Sequence, residues 1–121
     1  MALPLAFMYL PTPDLPASLR FYRDELGHDE LWREGEDTVG LAVPGSDVAL
    51  MIDRVVPGAT GGPGPMFLAD SLDDFLARHP DLSPATGPID IPDGSLAGFR
   101  DPSGNWFFVL DQRKAGDEPA T

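Results

Sequence analysis

Near its middle the chain runs Val56-Pro57-Gly58-Ala59-Thr60-Gly61-Gly62-Pro63-Gly64-Pro65, a stretch with four glycines and three prolines. It offers almost no side chain to bury, so residues 57–64 read as a flexible connection and not as a regular element. What decides the fold is the sequence on either side, where the same order of elements can be read twice.

On the N-terminal side, Leu5 to Leu10 is a short apolar run closed by Pro11, Thr12, Pro13 and Asp14. That is the profile of a buried strand running into a helix start. Asp14 is a good N-cap, Pro16 sits where a missing N–H costs nothing, and Leu15, Leu19, Tyr22 and Leu26 recur at helical spacing before Gly27. One amphipathic helix is expected there. Beyond it lie three strand-like stretches, His28 to Gly35, Thr38 to Val43 and Asp47 to Asp53, separated by turn-forming residues.

On the C-terminal side the order repeats. Pro65 to Ala69 is apolar, Ser71 with Asp74 three residues on resembles a capping box, and Leu72, Phe75 and Leu76 form a stripe that Pro80 ends. Pro88 to Ile91, Leu96 to Arg100 and Trp106 to Leu110 are strand candidates, the last two joined by Asp101-Pro102-Ser103-Gly104-Asn105. The chain therefore reads as a single domain with βαβββ written twice: one module over about 4–56, the second over about 65–112, and a polar tail over 113–121. Such a repeat predicts an α/β (α+β) fold whose paired, curved, mostly antiparallel sheets enclose a cavity, with the helices outside.

Composition limits the partners. At 121 residues the chain suits one compact domain. Twenty acidic against eight basic residues give a net charge of -12, which repels phosphate backbones and anionic headgroups and attracts cations. No apolar run is long enough to span a bilayer, and Met1 to Leu10 lacks the basic stretch of a secretory signal, so neither nucleic acid nor membrane is expected and the expected location is cytoplasmic. With no cysteine, a metal would fall to His, Asp or Glu, and only His28 and His79 supply imidazoles.

Asp14-Leu15 with Leu19, Arg20, Phe21 and Tyr22, the ending Glu25-Leu26-Gly27, and Phe99-Arg100-Asp101-Pro102-Ser103-Gly104-Asn105 leading into the last strand together resemble the vicinal oxygen chelate superfamily. That superfamily includes glyoxalase I, extradiol dioxygenases, fosfomycin-resistance enzymes and bleomycin-resistance binding proteins, and the resemblance covers Ala6 to Gln112. It implies paired modules around a ligand cavity and, commonly, a homodimer. Metal-using members place four ligands on first and last strands. Carried over, those positions fall near Phe7, Leu50, Gly64 and Phe108, and the neighbours Ala49, Met51, Pro63, Pro65 and Met66 offer no ligand either. No metal and no cofactor is therefore expected.

The chemistry left is aromatic. Alternation puts Phe7 and Tyr9 on one strand face and Trp106 and Phe108 on another, and the family register turns both pairs toward the cavity. The same rings can equally serve as plain core. Phe7, Tyr9, Trp32, Leu50, Met66, Trp106 and Phe108 are the expected ligand-binding residues, with no catalytic residue required. The expected function is metal-independent binding of an aromatic or cationic small molecule. Two alternatives stay open: a glyoxalase-type lyase or dioxygenase recruiting a metal through residues such as His28 with Glu30, and a metal-free enzyme using Tyr9 or a carboxylate of the second strand, His28 to Gly35, as acid or base.

Overall fold

The computed structural model describes residues 2–55 and 61–112. Its elements are β1 (Leu5–Thr12), α1 (Leu15–Leu19), a π-helical turn (Arg20–Glu25), β2 (Glu30–Glu34), β3 (Thr38–Leu41), β4 (Ala49–Arg54), β5 (Gly64–Leu68), α2 (Leu72–Arg78), β6 (Thr86–Ile91), β7 (Gly94–Arg100) and β8 (Trp106–Asp111). Residues 56–60 of the glycine-rich connection and the tail from 113 lie outside the described residues, and Gly64 belongs to β5.

Both helix starts obey their side chains. Asp14 accepts the Ala17 N–H at 3.0 Å, and Ser71 accepts the Asp74 N–H at 3.2 Å, each satisfying a donor that the first helical turn leaves open. The first helix departs from the expected single stripe. After Leu19 it widens, with the Leu26 N–H bonded to the Phe21 carbonyl five residues back. An extra residue in the turn rotates every side chain beyond it. Leu15, Leu19 and Tyr22 stay on the sheet, while Leu26 leaves the stripe and is 54% exposed.

The strands form one curled eight-stranded sheet in the order β2-β3-β4-β1-β5-β8-β7-β6. The order is the same read from either end, so the two modules are related by a pseudo-two-fold passing between β1 and β5. These central strands pair antiparallel, while each pairs parallel with the last strand of its own module, β1 with β4 and β5 with β8. The halves thus share one half-barrel, with β1 and β5 as the seam.

Period-two alternation divides the core into faces. On the outer face, Leu10, Leu41, Leu50 and Ile52 pack under α1, and Ala97, Phe99 and Val109 pack under α2. On the concave face, Tyr9, Met66, Phe108 and Leu110 make a third buried cluster. Burying such side chains stabilises by about 1.5–3 kcal/mol each, which makes the inward and outward sets hard to exchange.

The hairpin from β7 to β8 is closed by Asp101, whose carboxylate accepts the N–H groups of Ser103 and Asn105, both at 2.9 Å. Asp111, the one buried charged residue among those described, works at longer range. Its carboxylate accepts the Leu72 N–H at 2.6 Å and the Ser95 N–H at 3.1 Å, so β8 fastens both the start of α2 and β7.

Candidate functional site

The concave face is filled at its centre and open toward one side. Tyr9, Met66 and Phe108 are each about 1% exposed, with the Tyr9 and Phe108 rings 4.7 Å apart. These three expected ligand residues face inward but serve as packed core beneath the surface. The open space, about 320 Å³, lies beside them and is lined by Phe7 of β1, Trp32 and Glu34 of β2, Met51 of β4, Leu110 of β8, and Ile91 and Asp93 at the β6–β7 turn. Strand β2 and the β6–β7 turn belong to opposite ends of the strand order, so it is the curl of the sheet that brings them to one cavity.

Trp32 holds its place by geometry at both faces. Its ring meets Phe7 edge-on at 5.8 Å, and it crosses the paired strand at Gly40, where a Cβ would stand 2.2 Å from indole Cε2. Any larger residue at 40 would occupy the indole's seat. Gly40 was not singled out by sequence, since a glycine inside a strand run signals close approach without saying what approaches.

Two expected residues fall elsewhere. Leu50 pairs with Met8 and packs under α1, so it points away from the cavity and Met51 takes the inward place; the register inferred for that strand is off by one. Trp106 is on the concave face but outside the cavity lining. It stacks on Phe108 at 6.1 Å, carries the Arg100 guanidinium 4.5 Å over its ring, and lies against the backbone of Gly61 and Gly62.

The cavity is acidic. Glu34 is exposed, and its carboxyl lies above its ordinary value, first through partial loss of water on its cavity side and then because Asp93 and Asp53 stand near it. Asp53 is itself fixed: the Tyr9 hydroxyl donates to Oδ2 at 2.6 Å and the Thr38 hydroxyl donates to Oδ1 at 2.7 Å. Arg33 of β2 also lines the space, where its charge is taken up in an ion pair with Glu30 at 2.9 Å. Sequence reasoning offered a carboxylate of the strand holding Glu34 without choosing one, and missed Asp53 and Asp93, which are far apart in the chain and come near Glu34 only through the sheet.

The residues of the metal-dependent alternative do not converge. His28 Nδ1 lies 2.9 Å from the Ala42 carbonyl, tying the approach to β2 onto the end of β3, and Glu30 is engaged by Arg23 and Arg33. His79 caps α2 and packs on Phe75 at 4.6 Å.

Comparison with known proteins decides the family. The family model described as Glyoxalase/Bleomycin resistance protein/Dioxygenase superfamily matches residues 5–109. The chain belongs to this superfamily. A search among curated proteins finds no significant match. Among solved structures, the superfamily fold recurs in hypothetical protein BH1468 from Bacillus halodurans C-125, with TM-score 0.68, 10% identity, and coverage of 94% of this chain and 97% of that one. A glyoxalase/bleomycin resistance protein/dioxygenase superfamily member from Vibrio splendidus 12B01 is similar with TM-score 0.60, 16% identity, and coverage of 93% and 100%. Methylmalonyl-CoA epimerase from Mycobacterium tuberculosis is similar with TM-score 0.58, 20% identity, and coverage of 91% and 88%. At these identities the likeness is one of fold.

The superfamily's metal does not fit this member's donors. The inherited ligand positions hold Phe7, Met51 in place of Leu50, Gly64 and Phe108, and among the described residues no group of three or more His, Cys, Asp or Glu side chains is placed to hold a metal ion. Among the described residues no helix is long and apolar enough to cross a membrane.

Proposed function

We propose that this superfamily member binds a small organic cation with an aromatic or apolar body in its concave cavity, without a metal and without chemistry on the ligand. The observation that carries the reading is that Glu34 and Asp93 line one cavity with Trp32 and Phe7, with Asp53 near Glu34 across the strand that holds Thr38. A carboxylate with like charges beside it gains when a cation arrives between them. Trp32 offers the ring face that attracts such a cation, and Met51, Ile91 and Leu110 take its apolar part. The net charge of -12 adds a field that favours the same ligands. The reading extends to a homodimer, as the family resemblance implies, and to a cytoplasmic location.

The test is a titration monitored by tryptophan emission, with phenyltrimethylammonium as the cation and benzenesulfonate as its anionic counterpart. The cation is expected to bind and perturb the emission, the sulfonate is not, and Glu34→Gln is expected to weaken the cation several-fold. Equal binding of both ions, or cation binding indifferent to Glu34→Gln, overturns the proposal.

One observation favours a second reading, a metal-free acid/base enzyme. Glu34 is a cavity carboxyl held above its ordinary value with Asp93 and Asp53 near it, the arrangement of a candidate acid or base. Turnover that titrates with Glu34 and vanishes in Glu34→Gln would select this reading over simple binding.

A further inference from the structure

A second cavity lies on the outer face of the sheet, away from the carboxylates just described. It arises from a difference between the two modules. In the first, α1 and its π-helical continuation, five and six residues long, lay Leu15, Leu19 and Tyr22 over the sheet. In the second, α2 has only seven residues and ends at His79, before Pro80. The strands beyond its reach present Phe67 and Phe107, both half-buried, in a T-shaped pair 6.4 Å apart.

The space left there is about 530 Å³, walled by those two rings with Phe75, Val109 and, from the segment before β1, Leu3. That volume is in the range of small-molecule sites, roughly 300–1,000 Å³. Its rim carries charges of opposite sign, Asp70 and Asp74 near the start of α2 and Arg78 toward its end. Asp74 and Arg78 are four residues apart and so share a helix face, where their fields oppose.

We infer that this outer cavity is a second binding site, specific for an uncharged, ring-bearing apolar molecule. Three aromatic walls set at steep angles give edge and face contacts that a flat ring system can use. An anion would meet Asp70, Asp74 and the chain's net charge of -12, a penalty that an uncharged ligand avoids. A cation is drawn by the same charge to the concave cavity, where Glu34 and Asp93 stand in the lining, which leaves the aromatic walls here to an uncharged body. The outer site is independent of the concave one: both tryptophans lie outside its lining.

The experiment compares two dyes with the same body, N-phenylnaphthylamine, which is uncharged, and anilinonaphthalene sulfonate, which is anionic. The uncharged dye is expected to bind the native protein with enhanced emission, and the sulfonate at least about tenfold more weakly, the ratio that 1.4 kcal/mol of unfavourable charge produces. Phe67→Ala should weaken the uncharged dye about threefold to tenfold through the lost ring contact. Trp32→Ala should leave it unchanged. The exposed substitution Asp74→Lys reverses the rim charge, so it should raise sulfonate affinity and leave the uncharged dye alone. The inference is overturned if the uncharged dye fails to bind. It is equally overturned if Trp32→Ala and not Phe67→Ala weakens that dye, or if Asp74→Lys leaves the sulfonate unaffected. Circular dichroism of each variant separates loss of the site from loss of the fold, and if Phe67→Ala fails to fold, Asp74→Lys decides alone.

Discussion

Replacing Gly40 by alanine should damage the concave cavity far more than it damages the fold. The new Cβ would stand 2.2 Å from indole Cε2 and 2.5 Å from both Cζ2 and Nε1 of Trp32, so the ring must leave its seat. Trp32 is half-buried on the strand β2 at one end of the sheet order, with solvent beside it, and it can swing about its two side-chain torsions. What it loses is the edge-on contact with Phe7, worth about 0.5–1.5 kcal/mol. What the backbone gains from alanine in place of a strand glycine is about 0.5–1 kcal/mol. The two nearly cancel, and the net change in stability should stay within about 1 kcal/mol. Ligand affinity has no such compensation. Losing the ring face costs about 1–3 kcal/mol, a weakening of roughly fivefold to 150-fold. Urea denaturation and cation titration on the same preparation, with tryptophan emission reporting the displaced indole, measure both effects. A stability loss of about 3 kcal/mol with unchanged emission would mean that the indole is locked and the core overpacked, and the reasoning would be wrong. Unchanged affinity would remove Trp32 from the site.

Trp32→Ala should abolish most of the cation-induced emission change and weaken binding, whereas Trp106→Ala should lower stability by about 2–4 kcal/mol through its lost stacking with Phe108 and leave affinity near native, as titration and denaturation of the pair would reveal. Asp111→Ala leaves the Leu72 and Ser95 N–H groups without this acceptor and should cost about 2–5 kcal/mol by urea denaturation, with Asp111→Asn recovering part; a loss under about 1 kcal/mol contradicts the fastening role. Because Glu34's folded-state pKa is raised, the stability it contributes is present below its unfolded value and is lost as pH rises through the folded value. The unliganded protein should gain stability relative to Glu34→Gln on acidification across that window, while cation affinity falls across it; affinity that rises toward acid pH would refute the placement of the cation beside Glu34.

Much of the fold was legible because its signals are local. Asp14 and Ser71 as caps, Gly27 and Pro80 as stops, and the Asp101 turn each act through neighbours a few residues away, and each is where its sequence context put it. Face assignment on β1 and β8 was legible too, since alternation turns Phe7, Tyr9 and Phe108 to one side whatever the partner strands are. What local pattern does not contain is register and curvature. Leu50 and Met51 are both apolar and both adjacent to the expected position, and only the pairing of β4 with β1 decides which looks inward. The π-helical turn was hidden because its residues have ordinary helical character. Its sign is that Leu26 left the stripe. The acidic trio was hidden for the deepest reason: Glu34 and Asp93 lie 59 residues apart in the numbering and meet through the curl of the whole sheet.

That curl also explains why the aromatic residues inferred from sequence divided into two populations. The seam strands β1 and β5, with β8 beside them, lie in the middle of the strand order, and side chains there have neighbours on both flanking strands. Tyr9, Met66 and Phe108 therefore close on one another and become core. Toward β2 and the β6–β7 turn the sheet has fewer flanking strands, so Trp32 keeps a free side, and Phe7 near the start of β1 borders the same opening edge-on to it. A family member with polar ligands at the centre would have to keep that centre open. Here apolar side chains occupy it, and the charged groups stand at the margin, with the Tyr9 hydroxyl reaching from the packed centre to Asp53 as the link between them. Binding at the margin is then the function that costs this core least, because a ligand can enter beside Trp32 without disturbing any side chain that the sheet needs for its stability.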